Sequence, residues 1–264
     1  MDIARPVPEP TTVTVAQDRL RIRYALFGAG ALLAGIWIVW LAAWLLGWPI
    51  DDLGIVPRHA AGLVGILTAP FAHASFEHLM SNTLPLGVLA TLTLYVYPRA
   101  TRLALPAIWL LSGIGVWLFA RDSAHVGASG IVHGLMLFLF VIGLLRRDRL
   151  AVVTSLVVFF LYGGMLLSVL PHEERVSFEY HAAGAIAGVL AAFLFRRRDP
   201  SPPQKRYSWE QDTGAAREED ELELPRAQEV PVLWQRAPGE SGNGRVIEFR
   251  PRQHAPDPPP PTLH

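Results

Sequence analysis

The chain has 264 residues, of which 51% are hydrophobic and only 17% are charged. Soluble domains carry about 25% charged residues, so this composition excludes an ordinary soluble protein. The 23 basic and 23 acidic residues cancel, which argues against a nucleic-acid-binding protein. The absence of cysteine excludes disulfide bonds, thiolate zinc sites and a cysteine nucleophile.

Six apolar stretches approach the length of about 20 residues that a membrane-spanning helix requires. In chain order they are Ala25–Leu46, Leu79–Tyr97, Leu103–Ala120, Ser129–Leu145, Leu150–Leu170 and Phe178–Phe195. Runs this long and this poor in charge are rarely buried helices of soluble proteins. The sequence therefore predicts an all-α membrane protein that inserts into a lipid bilayer, with a six-span domain over residues 24–198 after a short cytoplasmic segment, residues 1–23.

The distribution of arginine predicts the orientation of the spans. Three arginines lie on one side of the membrane, Arg58, Arg121 and Arg175. Twelve lie on the other: Arg5, Arg19, Arg21, Arg23, Arg99, Arg102, Arg146, Arg147, Arg149, Arg196, Arg197 and Arg198. Because the cytoplasmic side carries the excess of basic residues, we expect both termini in the cytoplasm. The compact six-span build suggests a bacterial cytoplasmic membrane.

The long first connection, Gly47 to His78, lies on the outer side and carries apolar patches that are too short to span. We expect it to form an interfacial or partly re-entrant structure, whose backbone must be satisfied by protein or water.

Residues 199–264 differ sharply from the rest of the chain. They hold 12 of the 22 prolines and carry a net charge of −4, from 8 basic and 12 acidic residues, whereas residues 1–198 carry +4. This composition predicts a mostly disordered cytoplasmic tail. A short hairpin pairing Val230–Trp234 with Arg245–Phe249 is a weak signal within it. A docking segment for a cytosolic partner is the alternative to a merely solvated tail.

Polar side chains inside spanning segments are costly and mark candidate functional sites. They are few here and lie at the starts of the second, fourth and sixth spans: His78, Asn82, Ser129, His133, Glu179 and His181. At 1.5 Å per residue, Asn82, Ser129 and His181 reach one level, roughly 21 to 24 Å from the inner ends of their spans. Glu179 is about 200° around its helix from His181, so we expect it to face water.

Ser129 follows a flexible turn, Gly127-Ala128, at a helix start, where unpaired backbone N–H groups stabilise an oxyanion. Two glycine pairs with a spacing of four accompany the candidate residues. Gly130 and Gly134 follow Ser129, while Gly184 and Gly188 follow His181. Small residues at this spacing allow membrane helices to pack closely. If the two faces meet, Ser129 and His181 also meet.

These motifs resemble the rhomboid family of intramembrane serine proteases. The likeness rests on Gly127-Ala128-Ser129-Gly130 opening the fourth span, on His181 with its two glycines, and on His73-x4-His78-x3-Asn82 leading into the second span. It implies a six-span bundle with a long outer first loop, and a Ser-His dyad that cleaves transmembrane protein substrates without a cofactor or metal.

The resemblance also implies a role for each candidate residue. Ser129 would be the nucleophile and His181 the general base. The oxyanion would be held by the backbone N–H of Ser129 with the side chains of His78 and Asn82, while Gly127 and Gly130 shape the turn. His73 resembles the family's loop histidine, for which a structural role is at least as plausible as a catalytic one.

The chain departs from the family one turn after the serine, where a Tyr or Phe that stacks on the catalytic histidine is common. His133 stands there, and it is expected either to stack on His181 or to compete with it as the base. Two rival functions remain. One is an inactive relative that binds membrane clients. The other is a metal-binding or transport protein built on the histidines, His73, His78, His133 and His181.

Overall fold

The computed structural model describes residues 12–171 and 176–200. Within these residues the chain forms seven α-helices: α1 Thr12–Leu46, α2 Gly62–Thr68, α3 Phe76–Val96, α4 Pro98–Phe119, α5 Ser129–Arg146, α6 Arg149–Tyr162 and α7 Phe178–Phe195. Three short 3₁₀ segments, Ile50–Leu53, Ala69–Phe71 and Gly163–Val169, complete the described elements. In the same part of the chain, six helices are long and apolar enough to cross a membrane, which confirms the predicted all-α, six-span architecture.

Two helices differ from the predicted spans. α1 begins at Thr12, well before Ala25, so it includes much of the segment assigned to residues 1–23. The fifth span is divided, because α6 ends at Tyr162 and the chain continues as the 3₁₀ segment Gly163–Val169. The pair Gly163-Gly164 accounts for the break, since glycine lowers the stability of an α-helix interior. The tail and its weak hairpin signal lie outside the described residues.

Polar caps define where the helices begin. The side chains of Ser75, Asp148 and Ser177 accept hydrogen bonds from backbone N–H groups in the first turns of α3, α6 and α7. Each satisfies a donor that would otherwise lack a partner at the helix start. These caps place His78 in the first turn of α3 and His181 four residues after the cap of α7.

The helix that begins with Ser129, α5, is the centre of the bundle. It packs against α3, α4, α6 and α7, whereas α1 lies at the periphery beside α3. Buried residues make up 67% of the apolar window of α5 but only 17% of that of α1. α5 thus carries its first residues within the protein interior, shielded from lipid by its neighbours.

Glycines form the contact between α5 and α7, which we call the glycine seam: Gly130 and Gly134 on α5, with Gly184 and Gly188 on α7. A Cβ added to Gly184 would overlap the backbone of Gly130, and one added to Gly188 would overlap the backbone of Gly134. The two small-residue faces predicted from the sequence therefore meet, backbone against backbone.

The connection between α1 and α3 folds onto α4. The indole of Trp109 donates to the carbonyl of Ile66 at 3.0 Å, and that of Trp117 donates to the carbonyl of His59 at 2.9 Å. An antiparallel bridge joins Ile55 to His125 in the connection between α4 and α5. α2 is too short to span, as expected, and side chains of the bundle satisfy carbonyls of this connection.

At the end of the bundle opposite Ser129, Arg146 and Asp199 tie three elements together. The carboxylate of Asp199 accepts from the backbone N–H groups of Arg99 and Ala100 at the start of α4, at 3.0 and 2.9 Å. The guanidinium of Arg146, at the end of α5, donates to the carbonyl of Asp199 at 2.8 Å. The start of α4, the end of α5 and the chain after α7 are fixed at one point.

Candidate active site

Ser129 is the first residue of α5 and is 7% exposed. The turn before it depends on Gly127, whose φ of +116° is a conformation that other residues rarely adopt. A Cβ at Gly127 would also lie 2.7 Å from two atoms of the His78 imidazole. The glycine thus brings the ring of His78 directly against the backbone of the turn that carries Ser129.

His73 also contacts the turn that carries Ser129. Its Nδ1 lies 3.4 Å from the carbonyl of Phe71, which can only accept, so Nδ1 carries the proton. Nε2 then accepts from the N–H of Ala128, at 3.4 Å. Burial, and then the neighbouring His78, lower the pKa of His73 from 6.5 to about 4, which keeps the ring in the neutral form that these bonds require. These bonds give His73 a structural function.

His181 lies within the first turns of α7 and is 9% exposed. Its Nδ1 lies 3.0 Å from the backbone carbonyl of Ser168. Because a carbonyl only accepts, Nδ1 carries the proton, and Nε2 of the neutral ring carries a lone pair. A backbone carbonyl thereby sets the tautomer that an aspartate sets in a catalytic triad.

His133 stacks on His181, with ring centroids 4.0 Å apart and planes inclined by 13°. Its Nδ1 donates to the carbonyl of Ser129 at 2.8 Å, and its Nε2 lies 3.0 Å from the hydroxyl of Ser168. Both ring nitrogens are thus engaged by other groups, which disfavours His133 as the base. The edge of the His133 ring thus bonds to Ser129 and its face lies on His181, so the structure brings both predicted residues into contact with one imidazole.

Asn82 lies one turn after His78 on α3 and is buried. Its amide donates to the carbonyl of His78 at 3.0 Å, which uses one of the two amide hydrogens. The ring of His78 lies 5.0 Å from that of His73 and against Gly127. Of the predicted oxyanion groups, the structure thus brings His78 to the turn of Ser129 and Asn82 to the same end of α3.

The expectation that Glu179 faces water is wrong. Its carboxylate lies 3.5 Å from Nε of Arg121, and its side chain is only 13% exposed. Arg121 also donates to the carbonyl of Val176 at 2.8 Å and lies over the ring of Phe178. The connection between α4 and α5 covers the start of α7, which helical geometry alone cannot predict.

The sequence analysis assigned no role at the site to three residues of this region: Ser168, His125 and Arg121. Ser168 is a polar residue in an apolar stretch, which is a weak signal. His125 and Arg121 lie in a short connection without any periodic pattern, and their importance depends on contacts with residues more than fifty positions away.

Within the described ranges, no group of three or more His, Asp or Glu side chains is arranged to hold a metal ion. The rings of His73 and His78 meet edge-on, with planes inclined by 61°, whereas His133 and His181 form a separate stacked pair. Stacked rings direct their lone pairs side by side and not toward a shared point. This arrangement gives the metal-binding alternative no support.

Comparison with known proteins identifies a common domain. A family model described as the Rhomboid domain matches residues 60–198. The chain is 38% identical over 205 residues to an uncharacterized protein of Mycobacterium tuberculosis, covering 74% of this chain and 85% of the relative. An uncharacterized protein of Mycobacterium leprae is 34% identical over 191 residues, covering 66% and 73%. A protein of Acanthamoeba polyphaga mimivirus that carries the rhomboid name is 26% identical over 142 residues, covering 50% and 75%.

Proposed function

The chain belongs to the rhomboid family, and we propose that it is an intramembrane serine endopeptidase acting on transmembrane proteins. It is an integral multi-pass membrane protein, since residues 12–171 and 176–200 contain six helices long and apolar enough to span a membrane, five of them within the matched domain. The proposed orientation has both termini in the cytoplasm of a bacterial cell, so that Ser129 acts near the outer face.

The observation that carries this proposal is the environment of His181. Its Nδ1 proton is engaged by the carbonyl of Ser168, its ring is stacked on His133, and His133 is bonded to Ser129. An imidazole held in this tautomer, beside a serine at a helix start, has the arrangement of a general base next to its nucleophile.

In the proposed reaction, the Ser129 hydroxyl attacks the scissile carbonyl while Nε2 of His181 takes its proton. The N–H of Ser129 and the side chains of His78 and Asn82 donate to the resulting oxyanion, and one such donor contributes about 10²- to 10³-fold in rate. His181 then gives the proton to the leaving amine. A water molecule, deprotonated by His181, releases the acyl group from Ser129.

The test compares the wild type with Ser129→Ala and His181→Ala in liposomes that contain a single-span model substrate. We expect neither variant to cleave, and we expect a fluorophosphonate probe to label the wild type but not Ser129→Ala. Ser155→Ala is the matched control, because Ser155 is a buried serine on α6 whose hydroxyl bonds only to its own helix.

Normal cleavage by either variant would show that the dyad assignment is wrong. A well-folded wild type that the probe never labels, and that cleaves no substrate, would favour the inactive client-binding relative instead. Retained labelling of Ser155→Ala would show that removal of a buried serine hydroxyl does not by itself abolish the reaction, and thermal unfolding of Ser129→Ala and His181→Ala checks that both variants fold.

A further inference from the structure

His125 lies in the connection between α4 and α5, four residues before Ser129, and is 2% exposed. Its backbone N–H and carbonyl both pair with Ile55, each at 2.9 Å. Its Nε2 lies 3.0 Å from the carbonyl of Arg121, and its Nδ1 lies 2.7 Å from the hydroxyl of Ser177. Every polar atom of this buried residue therefore has a partner, as buried polar groups require.

These partners determine the direction of each hydrogen bond. The carbonyl of Arg121 only accepts, so Nε2 of His125 carries the proton. Burial lowers the pKa of His125, against the opposing effects of the Arg121 carbonyl and the Glu179 carboxylate, so the ring is neutral. Nδ1 of the neutral ring is an acceptor, and the Ser177 hydroxyl donates to it.

Ser177 is the cap of α7, and its oxygen accepts from the N–H of Tyr180 at 3.2 Å. A serine hydroxyl has one proton and two lone pairs. Donation to His125 orients those lone pairs, and one of them points to the helix start. The hydroxyl also lies 3.5 Å from the Glu179 carboxylate, to which it can turn when His125 no longer accepts its proton.

The hydrogen bond between His125 and Ser177 joins two residues that each lie four positions before a member of the proposed dyad. His125 precedes Ser129 by four residues, and Ser177 precedes His181 by four residues. The turn after His125 is itself held firmly, since the N–H of Gly127 donates to the carbonyl of Ala69 at 2.9 Å. A displacement at His125 is thus passed to the turn on one side and to the start of α7 on the other.

We propose that His125 is a positioning residue, whose hydrogen bond to Ser177 holds His181 in register with Ser129. This inference rests on the proposed protease function, because it assigns His125 a part in the same reaction. The contacts of Arg121 with Glu179 and Val176 join the same two segments and keep the bridge in place.

The two amide replacements of His125 separate positioning from packing. In His125→Asn, the amide oxygen occupies the place of Nδ1 and can still accept from Ser177. In His125→Gln, the amide lies near the place of Nε2, so the bond to Arg121 remains but Ser177 loses its acceptor. His125→Phe fills the volume and makes neither bond.

We expect His125→Gln and His125→Phe to lower kcat by roughly 10- to 100-fold with KM within about twofold, because a small misplacement of reacting groups slows the chemical step without weakening substrate binding. The rate of fluorophosphonate labelling should fall in the same ratio. His125→Asn should stay within about threefold of the wild type. Hydrogen exchange of the amides of residues 180–182 should accelerate in the first two variants only.

The control is His59→Gln, at a histidine on the outer face whose side chain is 64% exposed. It should match the wild type in every measurement. Thermal unfolding of each variant, in the full-length protein, identifies any that do not fold. Among the folded variants, the difference in kcat between His125→Gln and His125→Asn shows whether the bond to Ser177 positions His181.

A His125→Gln variant that cleaves as fast as the wild type would overturn the positioning role and leave the protease function intact. Equal impairment of His125→Asn and His125→Gln would also overturn it, because packing alone would then explain the loss. A wild-type protein that neither cleaves the substrate nor reacts with the probe would contradict the proposed function, and the inference about His125 would fail with it.

Discussion

If the proposed protease function is right, Gly184→Ala should lower kcat strongly while lowering stability only moderately. The added Cβ overlaps the carbonyl oxygen, the carbonyl carbon and the Cα of Gly130, all of which are backbone atoms. Backbone cannot rotate aside as a side chain can, so α5 and α7 must separate. Gly130 follows Ser129 directly, and Gly184 lies three residues after His181, so the separation falls on the proposed dyad.

The size of the effect follows from ordinary contact distances. Restoring van der Waals contact requires the helices to part by on the order of 1 Å, and a misplacement of about 1 Å at reacting groups costs about 10²-fold in rate. Overpacking of a core of this kind costs about 1 to 3 kcal/mol of stability. The variant is therefore expected to fold, with a lowered Tm, and to lose nearly all of its activity.

The assay measures kcat on the model substrate in liposomes, together with thermal unfolding in detergent. Gly30→Ala is the matched control, because among the described residues no atom outside its own stretch of α1 lies within 4 Å of a Cβ at this position. It should leave both quantities unchanged. If Gly184→Ala lowered the Tm but kept the wild-type kcat, the glycine seam would not set the register of the dyad.

Four further variants test three individual residues. Asn82→Ala removes one donor to the oxyanion and should lower kcat by about 10²- to 10³-fold, as measured on the same substrate. His133→Phe keeps a ring against His181 and should retain most of the rate, whereas His133→Ala should lose about 3- to 10-fold. His73 has its pKa lowered to about 4 in the folded chain, so the unfolded chain binds the proton first as the pH falls. Stability should therefore decrease between pH 6.5 and 4, by up to about 3 kcal/mol, and less steeply in His73→Gln.

A specific result would contradict each of these three expectations. An unchanged kcat in Asn82→Ala would exclude that amide from the oxyanion site. Loss of all activity in His133→Phe would restore His133 as a candidate base. If the free energy of unfolding of the wild type and of His73→Gln changed equally with pH across the acidic range, His73 would not be held neutral by the fold.

The spans were predictable because each depends on a local property, whereas the common depth of the candidate residues stays a prediction. Hydropathy over about 20 residues is sufficient to locate a membrane helix, and the helical rise converts a position in sequence into a depth. The spacing of the glycines predicted that α5 and α7 would meet. The stacking of His133 on His181 was foreseen as one of two alternatives.

The residues that escaped prediction act across the fold. Nothing local distinguishes His125 from any other loop histidine, because its partner Ser177 lies fifty-two positions away. Glu179 was misassigned for the same reason, since its cation Arg121 comes from another connection. The carbonyl of Ser168 cannot be recognised from sequence at all, because every residue has one.

The hydrogen bonds of Arg146, at the end of the bundle opposite Ser129, affect how a force would pass through the protein. Arg146 donates to the carbonyls of Arg196, Asp199 and Pro200, so the chain that leaves the bundle is fastened to the last turn of α5. α5 has 18 residues, about 27 Å of stiff helix, with Ser129 at its far end. A force applied to the chain beyond Pro200 is therefore transmitted first to α5, the helix that begins with Ser129.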